Sequence, residues 1–232
     1  MKPVLVAVVM YLFCIQSLKA QSPDSIPLPQ SYKTFRKGLY APATLIVAGV
    51  FASSSFKGAI KKEVVEERNE HFGHFSTSID NYLQYSPIAI VYALDAAGIK
   101  AKTNIADGTA ILLKGELMMF GTVTLLKNST HQLRPDGSTY NSFPSGHTAQ
   151  AFAAATFLSE EYKDRYKWMP YAAYGVASSV GILRMANNRH YISDVLVGAG
   201  IGILSMKVAY WTHQYHWGKK KKNTMGFNPE LP

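Results

Sequence analysis

The stretch RMANNRHYISD, from Arg184 to Asp194, separates two long apolar runs, Trp168–Leu183 and Val195–Trp211. Polar groups in this setting need partners, because an unpaired buried charge is costly. If a helix begins at Asp194, His190 lies about one turn before it, so the carboxylate can reach an imidazole nitrogen. That contact would fix the tautomer and leave the other nitrogen free as a base or nucleophile, while Arg184 would suit an anionic substrate. A polar loop with a capping aspartate is the alternative interpretation.

The chain of 232 residues is long enough for one domain with a hydrophobic core. Its formal net charge of +9 favours an anionic partner, such as a nucleic acid, a membrane surface or a charged substrate. The basic residues form no aromatic-interleaved stripe and no nucleic-acid motif occurs, so no nucleic-acid partner is predicted. The only cysteine, Cys14, lies in the leader, which predicts a mature chain without disulfides, thiol catalysis or zinc–cysteine sites.

Residues 1–20 are predicted to form a signal peptide. Lys2 supplies the positive start, Val4–Ile15 the apolar run and Ala20 the cleavage site. The apolar run is short for a membrane span, and a retained anchor is the alternative. Residues 21–37 contain several prolines and are predicted to be a linker.

Residues 38–79 are predicted to comprise an interfacial or first membrane helix followed by a charged segment. The helix corresponds to Leu39–Phe56, which could span the bilayer or lie in its interface. The charged segment, Lys57–Phe75, is expected to face solvent. Its His71 and His74 could bind a metal from one helix face, but no third ligand is evident nearby, so surface histidines are favoured. The sequence therefore predicts no metal site and no cofactor.

Residues 80–217 are predicted to form a helical bundle, and residues 218–232 a basic tail. No long β-alternation, internal repeat or low-complexity tract occurs, which indicates an all-α fold. The apolar segments of the bundle are Tyr82–Ile99, Ala106–Leu126, Thr148–Leu158, Trp168–Leu183 and Val195–Trp211.

The positions of the basic residues predict a membrane topology. The tail Lys219–Lys222 and the loop Glu160–Lys167 are expected to be cytoplasmic, which puts residues 127–146 and 184–194 outside the cytoplasm. In this topology a crossing at Leu39–Phe56 would have to start in the cytoplasm, whereas a cleaved signal peptide leaves that end outside. We therefore expect the helix to lie on or dip into the bilayer. The mean hydropathy of −0.03 is low for a polytopic protein, and a soluble bundle with a basic tail is the alternative.

Two further stretches carry groups that suit an anion. Lys127 and Arg134 are expected about two helical turns apart at the end of an apolar helix. The segment FPSGHT, from Phe143 to Thr148, joins a Pro-Gly turn to a predicted helix start. Backbone N–H groups at a helix N-terminus bind anions, and arginine offers two donors to phosphate oxygens. Snorkelling cations and an ordinary turn with a structural histidine are the alternatives.

Together the three stretches resemble the signature of the type 2 phosphatidic acid phosphatase superfamily, which includes membrane lipid phosphatases, class A acid phosphatases and vanadium haloperoxidases. The matching parts are Lys127…Arg134-Pro135, Pro144-Ser145-Gly146-His147 and Arg184…His190…Asp194. The resemblance covers roughly residues 80–212 and departs from the usual pattern at Leu183, where the family has serine. That change bears on phosphate positioning and not on the mechanism. The resemblance implies an all-α bundle, membrane-embedded, with its active site at the extracytoplasmic ends of the helices.

The resemblance also implies a role for each matching residue. His190 is implied as the nucleophile that accepts the phosphoryl group, Asp194 as its orienting partner and His147 as the general acid. An in-line displacement supported by fixed cations and backbone amides needs no metal. The residues implied to hold the phosphate are Lys127, Arg134, Ser145, Gly146 and Arg184.

The expected function is hydrolysis of a lipid phosphate monoester or diphosphate at the periplasmic face of a bacterial inner membrane, after export through the N-terminal signal. The substrate candidates are phosphatidate, phosphatidylglycerophosphate, undecaprenyl diphosphate and lipid A. The alternatives are a periplasmic acid phosphatase for soluble phosphomonoesters, a vanadium haloperoxidase, and a non-catalytic lipid-binding or transport protein. The expected partners are the membrane and the substrate, with no obligate protein partner. Arg189 could extend the site for a polyanionic headgroup, and His131 is expected to be a solvated loop residue.

Overall fold

The computed structural model describes residues 36–53 and 58–213, and these residues contain helices and no strands. The predicted all-α fold is therefore confirmed. The predicted signal peptide, most of the predicted linker and the basic tail lie outside the described residues. The main helices are α1 (Tyr40–Ser53), α2 (Gly58–Phe72), α3 (Asp80–Leu83), α4 (Ser86–Ala96), α5 (Ile105–Thr130), α6 (Gly146–Tyr162), α7 (Met169–Ala186) and α8 (Ile192–Trp211).

Helix α8 is the central element and packs against α1, α5, α6 and α7. Its glycines let neighbouring backbones come close, because a side chain at either of two positions would collide with a carbonyl oxygen. A Cβ atom at Gly198 would lie 2.5 Å from the Ser145 oxygen at the start of α6. A Cβ atom at Gly200 would lie 2.8 Å from the Pro42 oxygen of α1. Helix α8 is thereby held between α6 on one side and α1 on the other.

Helix α6 is buried along nearly its whole length. Its small residues Ala151, Ala153, Ala154 and Ala155 are fully buried, so neighbouring helices approach it closely. Larger side chains of α6 itself and of the surrounding helices fill the remaining space, and burial of each such side chain contributes about 1.5–3 kcal/mol. The largest of these fully buried apolar side chains are Phe157, Ile111, Met206 and Val180.

Within residues 36–53 and 58–213, two helices, α5 and α8, are long and apolar enough to cross a membrane, judged by length and composition only. Helix α8 is mostly enclosed by its neighbours, whereas most of α5 is not buried inside the protein. The uncovered surface of α5 includes large apolar side chains that are more than half exposed. These side chains are Leu113, Leu117, Phe120 and Leu125.

Two sequence-based segment boundaries are wrong. The expected loop Glu160–Lys167 begins inside α6, and both of its glutamates are buried. Glu160 forms ion pairs with Lys163 and Lys207, which is why the helix can continue through a charged sequence. The expected apolar segment Tyr82–Ile99 is divided between α3 and α4.

Candidate active site

The residues of the three motifs lie at one end of the bundle. Lys127 is in the last turn of α5, and Arg184 is in the last turn of α7. His147 is in the first turn of α6, and Asp194 in the first turn of α8. The Ser145 N–H donates to the main-chain oxygen of Asp194 at 3.0 Å, and a Cβ atom on Gly146 would lie 3.9 Å from Lys127 Cε, so the three motifs meet at one place. The predicted assembly of these residues is therefore present in the fold.

Asp194 and His190 form the most buried pair of the site. His190 Nδ1 lies 3.6 Å from Asp194 Oδ2, and the two residues are 3% and 0% exposed. This separation is slightly longer than a hydrogen bond, and His190 Nδ1 has no hydrogen-bond partner in the described part of the chain. Burial lowers the pKa of His190, with Asp194 opposing the shift. His190 is therefore held as a neutral imidazole whose Nδ1 faces a carboxylate.

The Asp194 carboxylate is fixed by four donors. Ser193 Oγ donates to Oδ1 at 3.0 Å, and Gln132 Nε2 donates to the same oxygen at 3.3 Å. The Tyr191 backbone N–H donates to Oδ2 at 3.1 Å, and the Ser142 hydroxyl donates to the same oxygen. The helix begins at Ile192, so Asp194 lies two residues further into the first turn than the sequence suggested. A carboxylate held in this way cannot swing away from His190.

His147 faces the same region from α6. Its Nε2 lies 2.8 Å from the Asn81 side-chain oxygen, so Nε2 is the protonated nitrogen of the neutral ring. Burial and, to a smaller extent, the positive Arg184 lower the pKa of His147 to about 4, while Asp80 opposes the shift. A neutral His147 in a cationic site would gain a proton most easily when an anion binds beside it.

Two residues of this network, Asp80 and Asn81, were missed by the sequence analysis. Asp80 Oδ2 accepts a hydrogen bond from Arg184 Nη1 at 2.6 Å, and the pair is buried. The Asn187 side chain also donates to Asp80, at 3.4 Å. The available signal was an Asp-Asn pair directly before an apolar segment, which also fits an ordinary helix cap.

The position of Arg134 differs from the expected one. Helix α5 ends at Thr130, because His131 adopts a left-handed conformation with φ of 45° and caps the helix. Arg134 therefore lies on a loop and not two turns further along a helix. A turn fixes it there, since the Arg134 N–H donates to the Thr139 oxygen and the Gly137 N–H donates to the Arg134 oxygen.

Several donors at the site remain available to an anion. The buried Nε groups of Arg134 and Arg184 have no hydrogen-bond partner among the described residues. Gly146 is the first residue of α6, where a backbone N–H has no acceptor within the helix. A Cβ atom on Gly146 would lie 3.9 Å from Lys127 Cε, which puts this N-terminus beside the first motif. The Lys127 amine donates to the Asn141 oxygen.

Ser145 connects two motifs through its backbone. Its hydroxyl caps α6, lying 2.9 Å from the Thr148 hydroxyl, and its side chain is fully buried. Its N–H donates to the main-chain carbonyl oxygen of Asp194 at 3.0 Å, which ties the start of α6 to the start of α8. The adjoining Phe143–Pro144 peptide is cis.

The remaining sequence candidates lie at the edge of the site or outside it. Arg189 forms an ion pair with Asp136 at 3.0 Å, and His131 is exposed. His71 and His74 are both exposed on or beside α2. The closest acidic neighbours of His71 are Glu67 and Glu70, also exposed, and Glu67 lies 3.4 Å from it. Such exposed groups are common on helix surfaces.

Comparisons of the sequence with known proteins all point to the same family. The sequence profile of the PAP2 superfamily matches residues 109–218, which include all three motifs. A lipid A 1-phosphatase from Porphyromonas gingivalis is 37% identical over 190 residues, covering 75% of this chain and 42% of that protein. This chain thus matches less than half the length of that relative. A phosphatidylglycerophosphatase B from Bacillus subtilis is 31% identical over 169 residues, covering 66% of this chain and 81% of that protein.

Two solved structures are also similar. The crystal structure of LpxE from Aquifex aeolicus gives a TM-score of 0.48 at 22% identity, covering 62% of this chain and 93% of that one. A transmembrane PAP2-type phosphatidylglycerolphosphate phosphatase from Bacillus subtilis gives a TM-score of 0.48 at 21% identity, covering 74% of this chain and 94% of that one. With the sequence match over most of the phosphatidylglycerophosphatase, the three motifs establish that this chain belongs to the PAP2 superfamily.

Proposed function

We propose that this protein is a metal-independent phosphatase that hydrolyses a lipid phosphate through a phosphohistidine intermediate. The observation that carries the proposal is the buried His190–Asp194 pair opposite His147, with the cations Arg134 and Arg184 beside them. A binding protein would need the cations but not two histidines in different environments. The donor set of imidazole, guanidinium and backbone N–H groups suits a phosphate. The two carboxylates of the site are already occupied, Asp194 by four donors and Asp80 by Arg184 and Asn187.

In the first step, the free nitrogen of His190 attacks phosphorus and the bond from phosphorus to the leaving oxygen breaks. His147 gives its proton to that oxygen, so the lipid leaves as an alcohol. Asp194 stabilises the positive charge that develops on His190. Arg134, Arg184 and the N–H groups at the start of α6 stabilise the charge on the equatorial oxygens.

In the second step, water attacks phosphorus and the bond between phosphorus and the His190 nitrogen breaks. The His147 base, now neutral, accepts a proton from the water, which restores both histidines and releases inorganic phosphate. The low pKa of His147, about 4 in the free site, keeps its ring neutral and therefore able to accept this proton. The first step needs the protonated form, and a bound phosphate dianion would raise the pKa of His147 toward neutrality.

A lipid is the substrate class that we propose. The two curated relatives are named for lipid A and phosphatidylglycerophosphate, and α5 has an uncovered apolar surface beside the site. We further propose that the chain is in a bacterial inner membrane with this site at the periplasmic face. The low mean hydropathy of −0.03 favours the alternative of a periplasmic enzyme for soluble phosphomonoesters. Recovery in detergent only, after a high-salt wash of membranes, would support the membrane enzyme over the soluble one.

The decisive experiment measures phosphate release by the detergent-purified chain in the presence of EDTA. The substrates are p-nitrophenyl phosphate, phosphatidate, phosphatidylglycerophosphate, undecaprenyl diphosphate and lipid A. We expect EDTA-resistant release that falls by about 10³-fold or more in His190→Ala. The control is His71→Ala, an exposed histidine on α2 outside the three motifs, which should retain activity. Equal activity in His190→Ala and the parent would disprove the nucleophile assignment.

A further inference from the structure

A cavity of about 500 Å³ lies between α2 and the third motif. Helix α2 contributes Lys61, Lys62 and Glu66 to its lining, and Gln132 and Tyr191 close it from the side of the active site. None of these residues belongs to the catalytic set proposed above. The cavity therefore needs a separate explanation.

The cavity shares a wall with the active site. Tyr191 directly follows His190, and Gln132 Nε2 donates to Asp194 Oδ1 at 3.3 Å. A group bound in the cavity would therefore lie beside the residues that orient the nucleophile.

Helix α2 is held in place over this wall by two contacts. Arg68 Nε donates to the Ala186 oxygen at 2.9 Å, which ties one part of α2 to the end of α7. Lys61 Nζ lies 5.0 Å from the centre of the Tyr191 ring, a cation–π distance that ties another part of α2 to the start of α8. Lys61 is thus positioned by the fold, and Lys62 is next to it in the chain.

The cavity has a positive charge that the protein does not neutralise. Neither Lys61 nor Lys62 forms an ion pair with any described residue, and Glu66 is the one carboxylate in the lining. Lys61 is partly buried, and burial lowers its pKa while the nearby Asp194 opposes the shift. A partly desolvated, unpaired ammonium binds an anion more strongly than a fully solvated one.

We propose that this cavity binds a second phosphate group of the substrate headgroup. The substrate class would then be a lipid with two phosphate groups, one hydrolysed at His190 and the other held by Lys61 and Lys62. This inference rests on the proposed function and narrows its substrate. Tyr191 and the lysine stems would cover the carbon skeleton that joins the two phosphates.

The test compares two probes with the full chain in neutral detergent. One is bisphosphoryl lipid A. The other is the monophosphoryl lipid A that carries the phosphate to be hydrolysed at His190 and lacks the second phosphate. The variant Lys61→Ala/Lys62→Ala should lower the ratio of kcat/KM for the first probe over the second by about tenfold, mainly through KM. Glu66→Gln, which removes the opposing charge, should raise the ratio. The matched control, Lys100→Ala/Lys102→Ala, removes the same charge at the opposite end of α5 and should leave it unchanged.

Each other outcome would overturn the inference. An equal loss on both probes would mean that the lysines act by supporting Tyr191, and no loss on either would mean that the cavity is not used. Adding phosphatidylglycerol to the micelles tests whether a neighbouring lipid supplies the second phosphate: if the preference of the parent chain disappears, the neighbour is the source and the inference fails.

A separate arm distinguishes this inference from the proposed function. Equilibrium binding of both probes to His190→Ala measures the subsite without turnover. If the parent chain releases no phosphate, the proposed function fails. The subsite would still be supported if the bisphosphoryl probe binds more tightly than the monophosphoryl probe and replacement of the two lysines removes this difference. Equal binding of both probes would disprove it.

Discussion

Arg184 Nη1 lies 2.6 Å from Asp80 Oδ2, and this buried ion pair connects the end of α7 to the short helix α3. Arg184 thereby has one nitrogen occupied by protein, while its buried Nε has no partner among the described residues. The guanidinium is fixed in orientation and still has a donor for a phosphate oxygen. Asp80 is therefore a positioning residue for the proposed phosphate site.

Replacement of Asp80 should destabilise the protein, and binding of an anion should restore part of the lost stability. Asp80→Asn leaves Arg184 as a buried charge without a counterion, which typically costs about 3–5 kcal/mol. Inorganic phosphate or vanadate would supply the missing negative charge, so it should raise the Tm of Asp80→Asn more than that of the parent. Thermal unfolding in detergent with and without phosphate measures both effects. An equal shift in the two proteins would contradict this role of Asp80.

The general-acid role of His147 predicts a dependence on the leaving group. His147→Asn should slow hydrolysis of phosphatidate by about 10²–10⁴-fold, because the departing alkoxide needs a proton. Hydrolysis of p-nitrophenyl phosphate should fall much less, since nitrophenolate leaves without one. The two rates are measured at the same pH in single turnovers, as release of the alcohol or the nitrophenolate, because this release reports the first step and not the second step in which His147 acts as the base. A similar loss on both substrates would show that His147 acts in binding and not as the acid.

The contact between Asn81 and His147 predicts a change in the pH profile. Their atoms are 2.8 Å apart, so Asn81→Asp puts a negative charge beside Nε2 and should raise the pKa of His147, which is about 4 in the parent. The basic limb of the kcat/KM profile would move to higher pH by about 1–2 units. Asn81→Ala, which removes the acceptor without adding charge, is the control and should not move the limb upward. A limb that stays in place in Asn81→Asp would contradict the assignment.

The same pKa has a consequence for stability. His147 has a lower pKa when folded, about 4, than its ordinary value of 6.5, so the folded state binds fewer protons below pH 6.5. His147 has no effect on stability well above pH 6.5, and it destabilises the protein increasingly as the pH falls from there toward 4. Asn81→Asp should reduce this acid destabilisation. Unfolding temperatures measured across that pH interval give the difference.

The sequence was sufficient for the local parts of the site. Ser145 caps α6 and His147 lies in its first turn, as the Pro-Ser-Gly-His stretch predicts. The four-residue spacing of His190 and Asp194 gives their proximity, because that spacing is about one helical turn. Both arrangements are set by neighbours in the chain.

The long-range parts of the site could not be predicted from spacing. Asp80 and Arg184 are 104 residues apart, and Asn81 and His147 are 66 residues apart. Such pairs depend on how α3 packs against α7 and α6, which no local pattern encodes. Buried Glu160 was assigned to a loop for the same reason, since its partner Lys207 lies on α8. The sequence thus predicts which residues are polar, and the packing determines which of them meet.

The approach of α8 to α6 at Gly198 gives the last prediction. A Cβ atom there would lie 2.5 Å from the Ser145 oxygen, and Ser145 N donates to the Asp194 oxygen at 3.0 Å. Gly198→Ala must push α8 away from the start of α6, which separates His147 from His190. We expect a loss of about 1–3 kcal/mol in stability and a clear fall in kcat, because in the proposed mechanism the two histidines act on the same phosphorus.

The matched control for this change is Gly175→Ala. Gly175 lies in α7, and no heavy atom would be within 4 Å of a Cβ there. Alanine at this position should stabilise the helix by about 0.5–1 kcal/mol and preserve kcat. Thermal unfolding and phosphate release, measured on both variants, separate the loss of packing from the general effect of an added methyl group. Unchanged activity in Gly198→Ala would mean that the spacing of α8 and α6 does not set the distance between the two histidines.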